Sequence, residues 1–400
     1  MKILFLSRWF PFPPDNGSKI RIFNIIRQLS EHHEVSLIAF GNKSDTDNLP
    51  GQAMLRQFCT KVEVIPLRIS NTSRRLAIKG LLSRQPRSFV DSHSTEMADA
   101  IRLECQDRPP ELIVASELQM IPYAFAVPTT PAIVEELELQ TFYDAVHVAG
   151  GFPKRIRALL TWLKLTEYLR HTLPRFAACT VVSEPERAIL RRIVPRYRAI
   201  SVVPNAVDLV KYQGEFGQPR PSSLIFSGAL SYQANFDAVS YLLNTIFPMI
   251  KVSVPDVELR ITGDNSRVDL SSLPRLPRVQ FTGYLNDIRP AVAESWASVV
   301  PLRIGGGTRL KILEALALGT PVISTSKGAE GLDLTHGKDI LIANSPSEFA
   351  TQTISLLRSP ELRQELATNG RRIVAEQYDW KVVGRGLENI VAGAALADVG

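Results

Sequence analysis

The sequence predicts an α/β protein of two domains, each built on a doubly wound parallel sheet. Short apolar runs alternate with longer helical patterns through both halves of the chain, an order typical of parallel strands covered by helices. A length of 400 residues exceeds what one hydrophobic core usually organises. The composition, 45% apolar and 22% charged, is that of an ordinary globular protein. We therefore expect two Rossmann-like domains facing across a cleft, with ligands bound at the carboxyl ends of the strands.

The apolar runs are the predicted strands. In the first half they cover residues 3–7, 34–39, 61–66, 112–115, 132–135 and 179–183. In the second half they cover residues 224–227, 258–262, 279–282, 297–301, 321–324 and 340–343. Between the halves, residues 200–208 lead into a connector rich in Gly, Gln and Pro. This predicts an N-terminal domain over 1–204, a C-terminal domain over 205–385, and a terminal helix at 386–400 that packs back on the first domain.

The positive charge of the chain lies in its first half. Residues 1–200 hold 27 Lys and Arg against 20 Asp and Glu, and residues 201–400 hold 19 against 20. The cations concentrate in two basic stretches, 68–87 and 154–175, with apolar residues interleaved. Zinc-ligand spacing, an aromatic RNA-binding signature and a helix-turn-helix pattern are all missing, which argues against a nucleic-acid partner. An anionic membrane surface or a phosphate-bearing acceptor fits better, and solvated helix faces without a partner are the alternative.

The opening segment and the cysteines indicate the cytoplasm. The apolar run that follows Lys2 ends at Ser7, which is too short for the core of a signal peptide. No apolar stretch approaches the roughly 18 residues that cross a bilayer. The three cysteines have neither paired nor metal-ligand spacing. We expect a cytoplasmic protein, and the basic stretches would favour the inner face of the plasma membrane.

A strand, a glycine loop and a helix between residues 298 and 319 form a predicted phosphate-binding segment. Its loop contains three consecutive glycines, Gly305, Gly306 and Gly307. Glycines let the backbone approach an anion closely. Thr308 is the expected N-cap, and the free N–H groups at the start of the helix favour a diphosphate.

Three charged residues follow this loop. Arg309 and Lys311 would lie in the first helical turns and add positive charge to the diphosphate contact, with Lys311 pointing to solvent as the alternative. Glu314 has apolar neighbours nearly all round the helix, so its carboxylate should be partly buried and in need of a partner. A ribose diol could donate two hydrogen bonds to it. The alternative is an ion pair with Lys311, which would contribute only a few tenths of a kcal/mol if exposed.

The segment 298–324 and the following Lys-Gly-Ala-Glu-Gly-Leu at 327–332 resemble the C-terminal hallmark of glycosyltransferase family 4, the glycosyl transferases group 1 type. Val-Val-Pro-Asn-Ala-Val-Asp at 202–208 is similar to the interdomain segment of that family. Further matching segments lie at 226–235, 259–264, 281–284 and 378–380, so the resemblance covers nearly all of residues 200–385. It implies the GT-B fold and a hexosyltransferase-type reaction that retains the anomeric configuration, uses no metal or other cofactor, and takes a sugar from a nucleotide-diphosphate donor. The departing diphosphate would itself accept the proton of the acceptor.

The resemblance also implies where the donor binds. The diphosphate would lie on the loop from Gly305 to Thr308, and Glu314 would bind the ribose. Gly228 begins the first loop of the C-terminal domain and belongs to the donor site. The base would sit near Gly263 and Tyr284, largely against backbone.

Two features depart from the family pattern. Many members carry a glutamate eight positions before the one at 314, where this chain has Gly306. The basic pair often found after the first strand of the C-terminal domain is absent from residues 228–237. Arg309 or Lys311 would then have to supply the positive charge in place of that basic pair.

The N-terminal half matches more loosely. Residues 8–21 look like the first strand and glycine turn of the family and are most similar to a bacterial subgroup that builds exopolysaccharides or lipid-linked glycans. Gly17 and Ser18 would face the donor phosphates, and a simple turn leading into a helix at 20–29 is the alternative.

A second group of polar residues follows the later strands of this half. The histidine that family members often place after the fourth strand is absent, so Ser116 and Glu117 are the candidates for a catalytic role there. After the next strand, the acidic cluster at 135, 136 and 138 would receive acceptor hydroxyls, or would lie in a solvated loop.

Other functions fit less well. An oxidoreductase would need Gly-x-Gly-x-x-Gly after its first strand, which neither glycine segment supplies. The Asp45-Thr-Asp47 motif lies in a polar loop far from the glycine loop, so no metal is assigned. We expect a nucleotide-sugar donor and a glycan or lipid-linked acceptor in bacterial polysaccharide or glycoconjugate synthesis. A GT-B sugar-nucleotide epimerase and a catalytically silent nucleotide-sugar-binding protein are the alternatives.

Overall fold

The structure is a computed structural model that describes residues 1–67, 83, 89, 93–148, 152–266, 268–307 and 309–396. Two predictions from the sequence concern residues outside this description: the N-cap role of Thr308, and the basic stretch 68–87, of which only Ser83 and Phe89's neighbourhood boundary aside, only Ser83 is described. The chain divides into two compact units. The first comprises Met1–Pro204 and Val383–Gly400, and the second is Asn205–Val382.

The first unit is built on a parallel sheet of seven described strands in the order β3-β2-β1-β4-β5-β6-β7. The strands are β1 Lys2–Ser7, β2 Glu34–Gly41, β3 Cys59–Pro66, β4 Leu112–Ser116, β5 Ala132–Glu135, β6 Ala178–Val181 and β7 Ile200–Val202. The central strands β1, β4 and β5 are almost entirely buried, because helices cover both faces of a parallel sheet. They form the core of this unit.

Helices fill the intervals between these strands. They are α1 Gly17–Leu29, α2 Lys43–Thr46, α3 Leu49–Leu55, α4 Thr95–Asp107, α5 Ile121–Ala124, α6 Gln140–Val148, α7 Phe152–Thr172 and α8 Glu184–Ile193, with short 3-10 turns at Leu118–Met120 and Leu173–Arg175. Side-chain caps fix several helix starts. Asn16 accepts a hydrogen bond from the backbone of Lys19 at the start of α1, and Ser183 caps α8 in the same way.

The second unit has its own parallel sheet, with six described strands in the order β10-β9-β8-β11-β12-β13. The strands are β8 Arg220–Ser227, β9 Glu258–Thr262, β10 Val279–Gly283, β11 Ser295–Val300, β12 Val322–Ser324 and β13 Leu341–Ile342. A separate apolar core surrounds them and includes Phe226, Phe247 and Phe349, each at most 1% exposed.

Helices lie between the strands of the second unit and after its last described strand, and the terminal helix begins in this unit. They are α9 Gln233–Tyr241, α10 Phe247–Ser253, α11 Arg289–Ala293, α12 Leu310–Leu318, α13 Pro346–Arg358, α14 Pro360–Gln377 and α15 Trp380–Ala395, with a π-helical turn at Leu242–Ile246 and 3-10 turns at Leu209–Tyr212 and Leu270–Ser272. Helix α12 ends at Gly319, whose φ of 73° is the left-handed conformation that glycine adopts without strain. From Val383 onward, α15 belongs to the first unit.

The prediction of two doubly wound parallel sheets is confirmed. Each of the twelve predicted strands overlaps an observed one. One described strand, β7, was not predicted, because its residues were assigned to the link between the domains. It has only three residues, two of them partly exposed, so it lacks the continuous apolar run that marks a buried parallel strand.

Candidate functional site

Each sheet has one point at which the order of strand addition reverses. In the first unit this point lies between β1 and β4, and in the second between β8 and β11. Open parallel sheets bind ligands in the crevice that the loops form at the carboxyl ends of such strands. The loops that follow these four strands, and the neighbouring loops at the same sheet edges, are therefore the expected ligand sites.

In the second unit, two glycines bring the loops after β8 and β9 into close contact. Gly228 has a φ of 146° and Gly263 a φ of 127°, values that side-chain-bearing residues rarely adopt. A Cβ on Gly263 would overlap the carbonyl group of Gly228, and a Cβ on Gly228 would lie 2.6 Å from Nζ of Lys311. A side chain would thus be strained at both predicted donor-site glycines, and at Gly263 it would also meet backbone.

The glycine loop after β11 is held by Arg309. The Arg309 guanidinium donates from Nη2 to the carbonyl oxygen of Gly305 over 2.7 Å and from Nη1 to the carbonyl oxygen of Gly306. Gly305 and Gly307 have φ values of 97° and 79°. Helix α12 begins only at Leu310, so Arg309 is the residue before the helix rather than part of its first turn. Its buried side chain fixes the shape of the loop.

Lys311 does not extend into solvent, the alternative left open above. Its Nζ donates to Oδ1 of Asn235 over 2.7 Å and lies 4.4 Å from the ring centre of Phe226. Asn235, which is 8% exposed, donates in turn from Nδ2 to the carbonyl oxygen of Ala229. The ammonium group therefore lies at the carboxyl end of β8, beside the loop that begins with Gly228.

The surroundings of Lys311 favour its neutral form. Burial, together with the nearby positive charge of Arg309, lowers the pKa of Lys311 to about 7, and the carboxylate of Glu314 opposes this shift. An amine with such a pKa changes its charge readily near neutral pH when an anion approaches.

Glu314 is partly buried, as predicted, and has a partner from a distant segment. Oε1 of Glu314 accepts a hydrogen bond from the hydroxyl of Tyr212 over 3.1 Å. Burial raises the pKa of Glu314, against the opposing effects of the Tyr212 hydrogen bond and the Lys311 charge. Among the described ion pairs none joins Lys311 to Glu314, so the alternative of a simple ion pair does not describe this carboxylate.

Tyr284 follows β10 at the same edge of the sheet. It is 64% exposed, and the strand before it ends at Gly283, whose carbonyl oxygen accepts a hydrogen bond from the backbone N–H of Gly263. The residues predicted to lie near the base are thus neighbours through backbone pairing.

In the first unit, Gly17 and Ser18 form the first turn of α1. The alternative was a simple turn followed by a helix at 20–29. The helix instead starts three residues earlier, at Gly17, because Asn16 caps it. Free N–H groups at such a helix start are available to an anion, and the role of Gly17 and Ser18 toward the donor phosphates stays a prediction.

Ser116 lies at the end of β4 in a buried network. Its hydroxyl donates to Oε2 of Glu135 over 2.8 Å, and Oε1 of Glu135 is 2.6 Å from Nη2 of Arg21. All three side chains are fully buried. The solvated loop considered for the acidic cluster is therefore wrong for Glu135, and the Ser116 hydroxyl serves to hold that carboxylate.

Two glutamates beside this network have unusual backbone conformations. Glu117 has a φ of 72° and Glu136 a φ of 58°. Such values cost energy for residues with a side chain and cluster at functional sites. Burial raises the pKa of Glu117 to about 8, opposed by the charge of Arg8 and increased by Glu135, and burial raises the pKa of Glu136 well above its ordinary value. Glu117 is thus a carboxyl group able to exchange a proton near neutral pH.

Residues 221–359 match the family model described as Glycosyl transferases group 1. The second unit is a glycosyl transferases group 1 domain. Its match spans β8 to α13 and so contains Gly228, Gly263, the glycine loop and Glu314.

Curated relatives of the chain include three bacterial proteins. An uncharacterized 44.6 kDa protein in the cps region of Klebsiella pneumoniae is 28% identical over 40% of this chain and 44% of its own length. Glycogen synthase of Mycobacterium tuberculosis is 24% identical over 62% of this chain and 59% of its own length. The third relative, from Corynebacterium glutamicum, is a GDP-mannose-dependent monoacylated alpha-(1-6)-phosphatidylinositol monomannoside mannosyltransferase. It is 27% identical over 36% of this chain and 41% of its own length. The matches span about two fifths to three fifths of the length of these relatives.

Solved structures resemble the whole chain. Anabaena Alr3699/HepE in complex with UDP has a TM-score of 0.69 at 15% identity, over 98% of this chain and 100% of that one. Sucrose-phosphate synthase from Thermosynechococcus elongatus has a TM-score of 0.68 at 15% identity, over 98% of each chain. Likenesses at this identity show the fold, and the predicted GT-B class, with two Rossmann-like domains, is confirmed.

The sequence analysis missed two residues of these sites. Tyr212 precedes Glu314 by 102 residues, and Arg21 precedes Glu135 by 114. One signal was available for Arg21, a cation placed among the apolar positions of a predicted helix that must face the sheet. For Tyr212 the sequence offers no comparable signal.

Proposed function

We propose that this protein is a retaining, metal-independent glycosyltransferase that moves a hexosyl group from a nucleotide-diphosphate sugar to a glycan or lipid-linked acceptor. The observation that carries the proposal is the placement of a glycine loop, Lys311 and Glu314 on one strand–loop–helix segment at the switch point of a glycosyl transferases group 1 domain.

The donor would bind through its three parts. The diphosphate would lie against the loop from Gly305 to Gly307 and near Nζ of Lys311, which takes the place of the basic pair missing after β8. The ribose would donate hydrogen bonds to the carboxylate of Glu314, and the base would rest near Gly263 and Tyr284. UDP bound to the Anabaena structure and the GDP-mannose dependence of the Corynebacterium relative make uridine and guanosine the first bases to test.

Catalysis would rest on positioning and on charge. Negative charge develops on the diphosphate as the glycosidic bond to the sugar breaks, and Lys311 and the loop N–H groups would stabilise it. A diphosphate oxygen would accept the acceptor proton on the face from which the diphosphate departs, so the anomeric configuration is retained. Because protein cations and N–H groups supply the positive charge, the proposed reaction needs no metal ion.

The acceptor would bind to the first unit. The carboxyl groups of Glu117 and Glu136 follow β4 and β5 there, and a carboxyl group held partly buried can receive acceptor hydroxyls. Synthesis of a polysaccharide or glycoconjugate at the inner face of the plasma membrane is the proposed setting, supported by the Corynebacterium relative, whose name gives a phosphatidylinositol monomannoside as its acceptor.

The first test is a calorimetric screen of UDP, GDP, ADP and their common sugar conjugates in the presence of EDTA. Selective binding of one nucleotide is expected. Product analysis with that donor, with and without a panel of polyprenyl-diphosphate glycolipids and methyl glycosides, then separates the alternatives. Transfer releases nucleoside diphosphate and forms an α- or β-glycoside whose configuration matches the donor. Epimerisation leaves the nucleotide on an altered sugar. Binding without any turnover would support a catalytically silent nucleotide-sugar-binding protein, an alternative that the presence of Gly306 in place of a glutamate favours.

A further inference from the structure

Helix α7, Phe152–Thr172, carries a row of exposed aliphatic side chains. Ile156, Leu159, Leu160 and Leu163 are 42%, 43%, 49% and 53% exposed. At 100° per residue, their i, i+3, i+4, i+7 spacing places them within an arc of about 100° on one side of the helix. A helix of a globular protein normally turns such an arc toward its core. Here the arc faces outward, and we call it the aliphatic stripe.

Other parts of α7 attach the helix to its unit. Leu165 and Leu169, in its C-terminal half, are at most 1% exposed. The ring of Trp162 packs edge-on against Tyr143 of α6, with the ring centres 5.7 Å apart. These contacts use other faces of α7, so the aliphatic stripe is not part of the packing that holds the helix in place.

Basic residues flank the aliphatic stripe. The helix holds five Lys and Arg and one Glu. In helical projection, Arg157 and Lys164 fall on one side of the stripe and Arg155 on the other, whereas Lys154 falls on the opposite face. Glu167, one turn beyond Leu163 in the same arc, is paired with Arg170. An apolar arc bordered by cations is the arrangement that lies in the plane of a membrane, with the apolar side chains at the acyl boundary and the cations at the headgroups.

We propose that α7 docks the protein on an anionic lipid surface by inserting the aliphatic stripe. Charge complementarity favours lipid over a second copy of the chain, because a symmetric pairing through the stripe would bring two sets of the same cations together. The proposed orientation is in the membrane plane, and within the described ranges no helix is long and apolar enough to cross a bilayer. This proposal does not depend on the proposed transfer reaction.

Vesicle flotation tests the proposal. We expect the full chain to float with phosphatidylglycerol-containing vesicles at 50 mM NaCl, to bind less at 500 mM NaCl, and to leave pure phosphatidylcholine vesicles largely unbound, since headgroup attraction is screened by salt. The triple variant Leu159→Ser, Leu160→Ser, Leu163→Ser should bind anionic vesicles at least about tenfold more weakly at low salt, because the apolar contribution is lost.

Matched controls separate insertion from general surface effects. Leu103→Ser on α4 and Val252→Ser on α10 also remove an exposed aliphatic side chain, 59% and 83% exposed, and should leave vesicle binding unchanged. Arg155→Gln with Arg157→Gln should weaken binding by roughly fivefold for each cation. Wild type that stays unbound at low salt, or a triple variant that floats like wild type, would overturn the proposal.

A probe on the stripe tests insertion directly. An environment-sensitive fluorophore on Leu160→Cys, in a Cys105→Ser background because Cys59 and Cys179 are buried, should brighten when anionic vesicles are added, and the same label on Val252→Cys should not. If wild type instead forms a dimer, the triple variant is a monomer, and neither protein floats, then the stripe is an interface between two copies and the proposal fails.

Discussion

Nζ of Lys311 donates a hydrogen bond to Oδ1 of Asn235 over 2.7 Å. The two residues come from α12 and α9 and meet beside Gly228, at the carboxyl end of β8. In the proposed donor site, the neutral amide oxygen thus holds an amine whose stronger partner, once the amine is protonated, would be a phosphate oxygen. Binding of a nucleoside diphosphate should therefore change the protonation of Lys311.

We expect donor binding to take up protons near neutral pH. With a pKa of about 7, most Lys311 side chains are neutral at pH 7.5 in the free protein. A bound diphosphate would raise this pKa, so the amine would gain about 0.7 proton on average. Titration calorimetry of the preferred nucleotide in buffers of different ionisation enthalpy measures this uptake.

The matched variant is Lys311→Arg. A guanidinium keeps its proton throughout this pH range, so the variant should bind nucleotide with uptake lower by the same fraction of a proton. An uptake equal in both proteins would show that Lys311 is not the group that titrates.

Glu314→Gln should weaken donor binding with little loss of stability. A hydrogen bond to a charged group contributes about 1.5–3 kcal/mol, so the dissociation constant should rise roughly tenfold to a hundredfold if the carboxylate binds the ribose. Tyr212→Phe is the control, because it removes the hydrogen bond from the Tyr212 hydroxyl to residue 314 but keeps the carboxylate. Calorimetry that finds equal losses in both variants would place the effect in the hydrogen bond rather than in a ribose contact.

The sequence was enough to predict the buried strands and to predict that the Glu314 carboxylate would be partly buried and hydrogen-bonded. It was not enough to predict which residues contact the buried glutamates. Apolar runs mark buried strands directly, because every residue of such a strand faces a covering layer. The apolar neighbours of Glu314 likewise predicted a partly buried carboxylate. Tyr212 and Arg21, however, lie more than 100 residues from the glutamates they contact, and only the sheet order brings them together. Sequence spacing carries no information on such pairs.

Gly263→Ala should destabilise the second unit by about 2–4 kcal/mol. The φ of 127° is strained for alanine, and the new Cβ would overlap the backbone of Gly228, which cannot move cheaply. Gly386→Ala is the control, since a Cβ there meets nothing within 4 Å and alanine in helix α15 should stabilise by about 0.5–1 kcal/mol. Urea unfolding of both variants measures the difference, and equal stability would argue against the close approach of the β8 and β9 loops.

Arg21→Met should cost roughly 3–5 kcal/mol of stability. It leaves the buried carboxylate of Glu135 with the Ser116 hydroxyl but without its cation, and an uncompensated buried charge is strongly destabilising. Arg372→Met provides the comparison. Its ion pair with Glu376 joins side chains that are 45% and 52% exposed, so its loss should cost less than about 0.5 kcal/mol. Unfolding in urea at pH 7 should show this contrast, which similar losses in the two variants would contradict.

The stability contributed by Glu117 should fall as the pH rises. Its folded-state pKa of about 8 lies above its ordinary value of 4.5, so the folded protein holds the proton more tightly than the unfolded chain does. This contribution is complete below about pH 4.5 and is lost as the pH rises through about 8, by roughly 1 kcal/mol per pH unit between pH 5.5 and 7.

The variant Glu117→Gln isolates this effect, because glutamine does not titrate. The difference in unfolding free energy between wild type and the variant should shift in favour of the variant as the pH rises from 5.5 to 7. Lys311, whose lowered pKa reduces stability as the pH falls from its ordinary value of 10.5 toward about 7, titrates in both proteins, so its contribution cancels in this difference. A difference that stays constant over the window would mean that Glu117 is already ionised there, and a proton-exchanging role for its carboxyl group near neutral pH would then lose its physical basis.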